Sequence, residues 1–254
     1  MHSHVIRLSG AYNIRDLGGY RTNSGARTRY RRIFRADSPH RLTSTDVETL
    51  LKAGLRTVID LRAAHELDES PNQLARLDEL EYVHLPLYDA LSPDHVQVDS
   101  DDPDPLPAFY TRTLASRGAR IAEILEAISG APAGVVMFHC TAGKDRTGLI
   151  SALLLGNANV LREDVVADYA RTEPLISELV EEFMELARSS GRDLSAYRRI
   201  LRARAETMNT VLDEIAVHYS SVQSYLSGIG VGDDVLKILA DRLLAHGAGQ
   251  FDPS

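Results

Sequence analysis

The only cysteine of the chain stands in a segment whose residue types and spacing suit the capture of an anion by a nucleophile. Cys140 follows the apolar stretch 135–138 and His139, and Arg146 comes six positions after the cysteine. The intervening residues are enough to wrap the backbone into a semicircle whose N–H groups point inward, and a helix that begins near Arg146 adds its positive end. The segment therefore predicts a cradle for a tetrahedral oxyanion, with a sulfur atom at its floor.

Cys140 and Arg146 together suit phosphoryl transfer. The inward dipoles and the guanidinium would stabilise a thiolate, which is the nucleophilic form of cysteine. Arginine offers a rigid fork that binds two phosphoryl oxygens while the sulfur attacks phosphorus in line. We expect the hydroxyl of Thr147 to hydrogen-bond the sulfur and make it a better leaving group when water hydrolyses the intermediate.

The segment from His139 to Gly148, HCTAGKDRTG, resembles the signature of cysteine-dependent phosphatases of the protein-tyrosine and dual-specificity superfamily. Three further segments resemble a narrower bacterial family of tyrosine/serine phosphatases: NIRDLGG at 13–19, VIDLR at 58–62 and the stretch 219–226. The resemblance implies hydrolysis of phosphoprotein esters and, in some members, of phosphoinositides, without a cofactor. The residues expected to bind phosphate are Thr141, Ala142, Gly143, Lys144, Thr147 and Gly148.

Three aspartates compete to donate a proton to the leaving oxygen. Asp145 lies in the loop and is favoured by the resemblance, because a Lys-Asp pair at this place is characteristic of the bacterial family. The resemblance also implies that Lys144 contacts a second phosphate or an acidic group of the substrate. Asp89 stands where the mobile acid loop of the superfamily usually begins, so it stays an alternative. Asp60 is expected mainly to orient other groups.

Three polar residues are expected to support the loop rather than to react. Asp60 ends a predicted strand and stands two positions before Arg62, with which it is expected to pair. His139 directly precedes the cysteine, where its ring is expected to steady the loop by hydrogen bonds rather than to act as a base. No spacing of histidines and carboxylates predicts a metal site on a helix, so no metal is expected.

Short apolar or β-branched stretches alternate with helical patterns as far as about residue 160. Four strands are predicted, at 32–34, 55–60, 82–85 and 135–138. A capping-box pattern at 45–48 opens a helix that Gly54 would end, and helical patterns occupy 121–128 and 149–155. The alternation predicts an α/β fold of the protein-tyrosine-phosphatase type, with a mainly parallel central sheet flanked by helices. The acidic, proline-containing stretch 91–107 predicts a surface loop.

The chain beyond residue 160 shows only helical patterns. One helix is predicted from two neighbouring apolar columns, formed by Leu175, Leu179 and Phe183 and by Ile176, Val180 and Met184. A second long helix is predicted to carry Leu201, Met208, Leu212 and Ile215 on one side. We expect a single phosphatase domain over residues 1–254, in which 173–219 form a helical lid like that of the family it resembles. Plain packing of these helices against the core is the alternative.

Composition excludes several classes of protein. The 254 residues carry 28 basic and 36 acidic side chains, and the net charge of −8 disfavours binding to nucleic acid or to acidic membranes. No apolar stretch approaches the roughly 18 residues that span a bilayer. A single cysteine excludes disulfides within the chain. The N-terminal residues show no signal-peptide pattern, so a cytoplasmic location is expected, with export that needs no signal peptide as the alternative.

Two other functions stay open. A sulfurtransferase of the rhodanese type also places one cysteine in a loop between a strand and a helix, although that loop need not end in an Arg-Thr pair. A non-catalytic relative would hold phosphorylated ligands without turnover, but nothing in the loop supports it, since the nucleophile and the arginine are both present. Turnover of an aryl phosphate separates the main prediction from both alternatives.

Overall fold

Five strands form one sheet in this computed structural model, which describes residues 4–88, 96 and 102–244. The strands are β1 (Arg15–Asp16), β2 (Ile33–Ala36), β3 (Leu55–Asp60), β4 (Glu81–His84) and β5 (Val135–His139). Their order is β1-β2-β5-β3-β4, and every neighbouring pair is parallel except β1 and β2. The predicted α/β fold with a mainly parallel sheet is confirmed. The short strand β1 was not predicted, because two residues carry too little pattern.

Strand β5 lies in the middle of the sheet and is buried along its whole length. Val136 and Phe138 pack into the larger apolar core, whereas Val135 and Met137 pack into a second core. Successive side chains point to opposite faces of a sheet, so the strand is covered on both faces and reads as a continuous apolar run. Ligand sites of open α/β sheets form at the carboxyl ends of the strands, which is where Cys140 stands.

Helices pack against both faces of this sheet. Within the described ranges they are α1 (Ser44–Lys52), α2 (Ala64–Glu69), α3 (Leu106–Ser116), α4 (Gly118–Gly130), α5 (Asp145–Asn157), α6 (Arg162–Ala170), α7 (Thr172–Leu175), α8 (Ser177–Ser189), α9 (Leu194–Ile200), α10 (Ala205–Tyr219), α11 (Val222–Gly228) and α12 (Asp233–Leu243). In these ranges, no helix has the length and apolar character needed to cross a membrane. The loop predicted at 91–107 lies largely outside the described residues, and α3 already begins at Leu106.

Helix α1 begins earlier than the sequence pattern suggests. Its N-cap is Thr43, whose hydroxyl accepts a hydrogen bond from the N–H of Asp46, and the Asp46 carboxylate accepts one from the N–H of Thr43. The capping box predicted at 45–48 is therefore wrong. Asp46 also accepts hydrogen bonds from two backbone N–H groups near the N-terminus, at 2.9 and 3.0 Å, and these contacts are not visible in the local sequence.

Helix α5 follows the central strand and is buried along nearly its whole length. Leu149, Ile150 and Leu153 belong to the larger core, and helices α6, α11 and α12 pack around them. Because α5 is enclosed on all sides, its first turn is held firmly at the end of β5. That turn carries Asp145 and Arg146.

The two helices predicted after residue 160 are divided into shorter ones. Ile176 separates α7 from α8, and residues 201–204 separate α9 from α10. The prediction of one long second helix is therefore wrong, because Leu201 lies outside the helix that carries Met208. Met208 and Ile215 are apolar because they pack into the core, and their spacing from Leu201 does not indicate one continuous helix.

The helices of the predicted lid segment pack in two different ways. Met208 and Ile215 of α10 are buried in the larger core. Ile176 and Leu179 instead contact Ala142, in the loop after β5. The part of the segment that contacts this loop is therefore Ile176 with α8, whereas α10 packs as a core helix.

Candidate active site

The loop 140–144 joins the end of β5 to the start of α5. Cys140 and Arg146 are both buried, with exposed fractions of 2% and 4%. Gly143 has a φ of +65°, and a Cβ there would lie 2.7 Å from the carbonyl oxygen of Ala36 in β2. Glycine is required for this turn, and it brings the loop into close contact with the end of β2.

Neighbouring segments donate hydrogen bonds to the carbonyls of the loop, whereas its N–H groups find no acceptor in the described ranges. Asn13 Nδ2 donates to the carbonyl oxygens of Ala142 and Gly143, at 2.9 and 3.2 Å, and Arg35 Nη2 donates to that of Gly143 at 2.6 Å. Within the described part of the chain, no atom accepts a hydrogen bond from the backbone N–H groups of Thr141 to Thr147. Buried donors are rarely left unpaired, and a row of them at a helix start suits an anion.

A buried ion cluster holds Asn13 and Arg35 in place. Asp168 of α6 accepts hydrogen bonds from Arg35 Nη1 and from Arg15 Nε, the second at 3.4 Å, and Arg15 also donates to the side chain of Asn13. Burial favours the neutral acid, but the charges of Arg35 and Arg15 lower the pKa of Asp168 to about 2. Asn13 and Arg15 lie in the NIRDLGG segment, so its resemblance indicated this region. Sequence reasoning missed Arg35 and Asp168, for which no local signal exists.

Arg146 and Glu66 form a two-point ion pair. Arg146 Nη1 lies 2.5 Å from Glu66 Oε2, and Nη2 lies 2.8 Å from Oε1 and 3.1 Å from the Thr141 hydroxyl. Burial disfavours both charges, but this pairing lowers the pKa of Glu66 to about 2 and raises that of Arg146 above its usual value. The Nε–H of Arg146 takes no part in these contacts. Sequence reasoning missed Glu66, which lies in the first turn of α2.

The ring of Tyr88 lies against the guanidinium of Arg146, with 5.5 Å between the guanidinium carbon and the ring centroid. Its hydroxyl is buried and has no hydrogen-bond partner among the described residues. Burial first, and then the charge of Asp145, raise the pKa of Tyr88. The next residue is Asp89, the alternative proton donor, which lies outside the described residues.

Asp60, Arg62 and His139 are in contact beneath the loop. Asp60 accepts hydrogen bonds from Arg62 Nη2 at 2.7 Å and from the Tyr82 hydroxyl at 3.0 Å, and His139 Nε2 lies 3.2 Å from Asp60 Oδ2. Burial opposes the charge of Asp60, but His139 and Arg62 hold its pKa well below the usual range. His139 Nδ1 lies 3.1 Å from the carbonyl oxygen of Cys140. The network therefore ties the backbone at the cysteine to the end of β3.

Lys144 is turned into the protein rather than toward a ligand. Its side chain is almost fully buried, and Nζ lies 2.6 Å from Asp145 Oδ1 and 2.9 Å from the carbonyl oxygen of Ile200, at the end of α9. These contacts satisfy an ammonium group whose burial would otherwise be costly. Lys144 was expected to contact a second phosphate or an acidic group of the substrate. In this structure its ammonium group instead contacts Asp145 and the carbonyl of Ile200.

Thr147 and Gly148 occupy the first turn of α5. The Thr147 hydroxyl is buried and has no hydrogen-bond partner in the ranges described, so the expected bond to sulfur is not formed in this conformation. The N–H of Gly148 donates to the carbonyl oxygen of Lys144 at 2.7 Å and is not available to an anion. A Cβ at Gly148 would lie 3.0 Å from the ring of Tyr169, so this glycine makes room for an aromatic side chain.

Helix α8 lies over the loop. Ile176, which precedes it, contacts Ala142. Glu182 of α8 accepts hydrogen bonds from Arg41 Nη1 at 2.8 Å and from the Tyr12 hydroxyl at 3.2 Å. Apolar contacts with Ala142 and polar contacts with Tyr12 and Arg41 therefore hold this helix against the loop.

Several features together indicate the class of protein. The central strand of a mainly parallel sheet ends directly before a cysteine. N–H groups without an acceptor among the described residues, and an arginine, follow it at the start of a helix. This arrangement is typical of α/β phosphatases with a cysteine in the phosphate-binding loop. Among the described residues, no group of three or more His, Cys, Asp or Glu side chains could hold a metal ion.

Comparison with known proteins gives the family. The sequence model of the tyrosine phosphatase family matches residues 6–245. The chain belongs to the tyrosine phosphatase family and is a protein-tyrosine phosphatase, which confirms the resemblance found in its sequence.

The relatives cover most of the chain. A tyrosine-protein phosphatase of Nostoc commune is 32% identical over 208 residues, which are 80% of this chain and 71% of the relative. The triple specificity protein phosphatase PtpB of Mycobacterium tuberculosis is 25% identical over 289 residues, covering 94% of this chain and 99% of that protein. Among solved structures, TpbA of P. aeruginosa in complex with phosphotyrosine covers 79% of this chain and 86% of its own, at 13% identity and a TM-score of 0.40.

Proposed function

We propose that the protein hydrolyses phosphomonoesters by transferring the phosphoryl group to the sulfur of Cys140 and then to water. The observation that carries this proposal is the row of backbone N–H groups from Thr141 to Thr147. No atom of the described residues accepts a hydrogen bond from any of them. These residues directly follow the buried Cys140 in the chain, and the buried Arg146 is one of them. Such donors match the charge that develops on phosphoryl oxygens during transfer.

The reaction balances in two steps. In the first, the Cys140 thiolate attacks phosphorus, the Sγ–P bond forms, the P–O bond to the leaving group breaks, and Asp145 gives that oxygen its proton. In the second, water attacks phosphorus, Asp145 takes a proton from the water, and the Sγ–P bond breaks. Inorganic phosphate leaves and the thiolate is restored, so one water molecule is consumed for each ester.

Arg146 and the loop backbone bind the phosphoryl oxygens in this proposal. The Glu66 carboxylate orients the guanidinium, so that its remaining N–H groups meet the ligand in a fixed direction. Asp60, Arg62 and His139 position the backbone at the nucleophile. The Thr147 hydroxyl, buried and without a partner among the described residues, is the group that we propose turns to the sulfur during the second step.

Asp145 is the proton donor that we propose. It lies in the first turn of α5, directly before Arg146, and a small part of its side chain is exposed. Asp60 is a poor acid, because His139 and Arg62 hold its pKa far below neutrality. Asp89 stays the alternative, and substitution of each aspartate separates the two: the true acid is the one whose loss selectively impairs substrates with poor leaving groups.

The substrates that we propose are phosphotyrosyl proteins first and phosphoinositides second. Membership of the tyrosine phosphatase family supports the first class. The resemblance of HCTAGKDRTG to the bacterial family, and the name triple specificity phosphatase borne by a relative, support a broader range. The ranking of substrates is tested by measuring phosphate release from four kinds of substrate. They are phosphotyrosyl, phosphoseryl and phosphothreonyl peptides and phosphoinositide vesicles.

The decisive experiment replaces the nucleophile. Cys140→Ser is expected to abolish turnover of p-nitrophenyl phosphate while phosphate binding persists, and a chelator is expected to leave the native activity unchanged. Acid quench followed by intact-mass measurement should show a phosphate on Cys140. Turnover that survives the substitution would overturn the proposal. A sulfurtransferase or a non-catalytic phosphate-binding protein would show no turnover of the aryl phosphate at all.

We also propose that the protein acts in a reducing compartment such as the cytoplasm. A cysteine nucleophile works only while its thiol is reduced, and intracellular thiols are kept in that state. Fractionation of the native cells, with an antibody to the protein, tests this location.

A further inference from the structure

The carboxyl group of Asp145 is held by two buried tyrosines from different helices. The Tyr110 hydroxyl, from α3, lies 2.5 Å from Asp145 Oδ1. The Tyr169 hydroxyl, from α6, lies 2.9 Å from that of Tyr110. Both tyrosines are buried, and nothing in the catalytic steps above makes use of them.

The direction of these hydrogen bonds follows from the groups involved. Lys144 Nζ lies 2.6 Å from Asp145 Oδ1, and an ammonium can only donate, so Oδ1 is an acceptor. Tyr110 therefore gives its single hydroxyl hydrogen to Oδ1. Its oxygen is then left to accept the hydrogen of Tyr169, which makes a chain from Tyr169 through Tyr110 to Asp145. Burial, followed by the charge of Asp145, raises the pKa of both tyrosines and keeps them as donors.

The two carboxyl oxygens of Asp145 consequently differ. Oδ1 accepts from both Lys144 and Tyr110, whereas Oδ2 makes no hydrogen bond within the described part of the chain. A carboxylic acid whose Oδ1 is occupied by two donors must carry its proton on Oδ2. Without these hydrogen bonds, the carboxyl group could rotate and present either oxygen to the leaving group.

We propose that Tyr110 and Tyr169 are positioning residues that orient Asp145 so that Oδ2 carries and delivers the catalytic proton. The inference rests on the proposed role of Asp145 as the general acid. Neither tyrosine touches the reacting atoms; each acts through the carboxyl group. The proton itself moves from Oδ2 to the leaving oxygen as the P–O bond breaks, and the tyrosine hydrogens stay in place.

Packing fixes this chain against α5. The rings of Tyr110 and Tyr169 meet edge to face, with centroids 6.2 Å apart and planes at 85°. The ring of Tyr169 also fills the space beside Gly148, where a Cβ would lie 3.0 Å away. Gly148 thus makes room for Tyr169, and Tyr169 supports Asp145, which lies three positions before that glycine.

The test compares Tyr110→Phe and Tyr169→Phe with the unmodified protein on two substrates. p-Nitrophenyl phosphate has a good leaving group and depends little on an acid, whereas phenyl phosphate has a poor one. General acids contribute about 10²–10⁴-fold, so a misoriented acid is expected to lower kcat for phenyl phosphate about tenfold or more, with KM little changed. The loss with p-nitrophenyl phosphate is expected to stay within about threefold, and Tyr169→Phe to show a smaller selective loss than Tyr110→Phe.

Tyr225→Phe is the matched control. Tyr225 is another fully buried tyrosine with one hydrogen bond, to the carbonyl oxygen of Leu114 at 2.9 Å, and it belongs to α11 rather than to the site. Removal of its hydroxyl is expected to lower thermal stability without any selectivity between the two substrates. A merely structural role for Tyr110 and Tyr169 would give the same unselective result and would overturn the inference.

Asp145→Asn separates failure of the inference from failure of the proposed function. If Asp145→Asn is selectively impaired on phenyl phosphate and both tyrosine variants are not, the inference is overturned and the acid assignment stands. If Asp145→Asn shows no selectivity, the acid assignment falls and the inference with it. Matching selectivity in Asp145→Asn and Tyr110→Phe, with no further loss in the double variant, supports both.

Discussion

Glu66 and Arg146 face each other beside the loop 140–144 as a two-point ion pair, with nitrogen–oxygen distances of 2.5 and 2.8 Å. Two parallel hydrogen bonds to one carboxylate fix the plane of a guanidinium, which a single contact does not. The remaining N–H groups of Arg146 therefore point in a set direction before a ligand arrives. In the proposed reaction, such preorganisation avoids the cost of reorienting the guanidinium.

Glu66→Gln is expected to weaken binding of the phosphoryl group. The variant keeps the shape of the side chain but loses its charge, so the guanidinium is less firmly oriented. We expect the inhibition constant for inorganic phosphate and the KM for p-nitrophenyl phosphate to rise about tenfold, since small displacements in an active site can cost up to about a hundredfold. Glu69→Gln in the same helix is the control, because Glu69 is exposed and has no charged partner among the described residues. Equal phosphate affinity in the two variants would contradict this role.

The stability of the fold is expected to fall in acid because folding lowers the pKa of two carboxyl groups, those of Asp168 and Glu66. Asp168 has a folded-state pKa of about 2, below its usual 3.8, and Glu66 likewise has one of about 2. A depressed pKa adds stability above the unfolded-state value, and that stability is lost as the pH falls toward the folded-state value. The free energy of unfolding should therefore decline between about pH 5 and pH 2, as measured by urea denaturation at several pH values.

Asp168→Asn isolates the contribution of the buried cluster. The substitution leaves Arg15 and Arg35 buried without a counter-charge, so we expect a loss of about 3–5 kcal/mol at pH 7. The variant should also show a shallower decline of stability in acid, because the titrating group is gone. Curves that stay parallel to that of the unmodified protein from pH 7 downward would argue against a depressed pKa at Asp168.

Asn13→Ala is expected to disturb the loop, although the Asn13 side chain binds the carbonyls of the loop and not the ligand. Asn13 holds the carbonyls of Ala142 and Gly143, and its loss would free the peptide groups to rotate their N–H donors away from the anion site. We expect phosphate affinity to fall about tenfold, which corresponds to the loss of about one aligned donor. Asn23→Ala, at an exposed asparagine that also bonds a backbone carbonyl, should leave affinity unchanged. Thermal denaturation of both variants distinguishes a misaligned loop from an unfolded one.

Glu182→Ala tests whether α8 opens over the cysteine. The Arg41–Glu182 pair is partly exposed, and exposed pairs contribute about 0.2–1 kcal/mol, so its removal should raise the open fraction by no more than about fivefold. We expect iodoacetamide to alkylate Cys140 correspondingly faster, with phosphate as a protecting ligand. The matched control is Glu185→Ala, since Glu185 lies on the same helix but pairs within it, with Arg188. Identical alkylation rates for the two variants would show that this ion pair does not hold the helix closed.

The secondary structure was predictable where its signal is local. Strand β3 occupies the predicted range 55–60, and β5 differs from its prediction by one residue. Continuous apolar stretches mark strands that are buried on both faces, whatever they pack against. The start of α1 was missed because Thr43–Asp46 and Thr45–Glu48 both have the spacing of a capping box, and only the first pair forms one. The division of α9 from α10 was missed because it depends on tertiary packing.

The sequence by itself determined the loop that carries Cys140 and Arg146, because a strand, a six-residue spacing and a helix start are contiguous in the chain. Only the tertiary structure decided what surrounds them. It placed Glu66 against Arg146, turned Lys144 inward and set Tyr110 against Asp145. Each of these contacts joins elements separated by dozens of residues, and their meeting is set by how helices pack on the sheet, which no local pattern records.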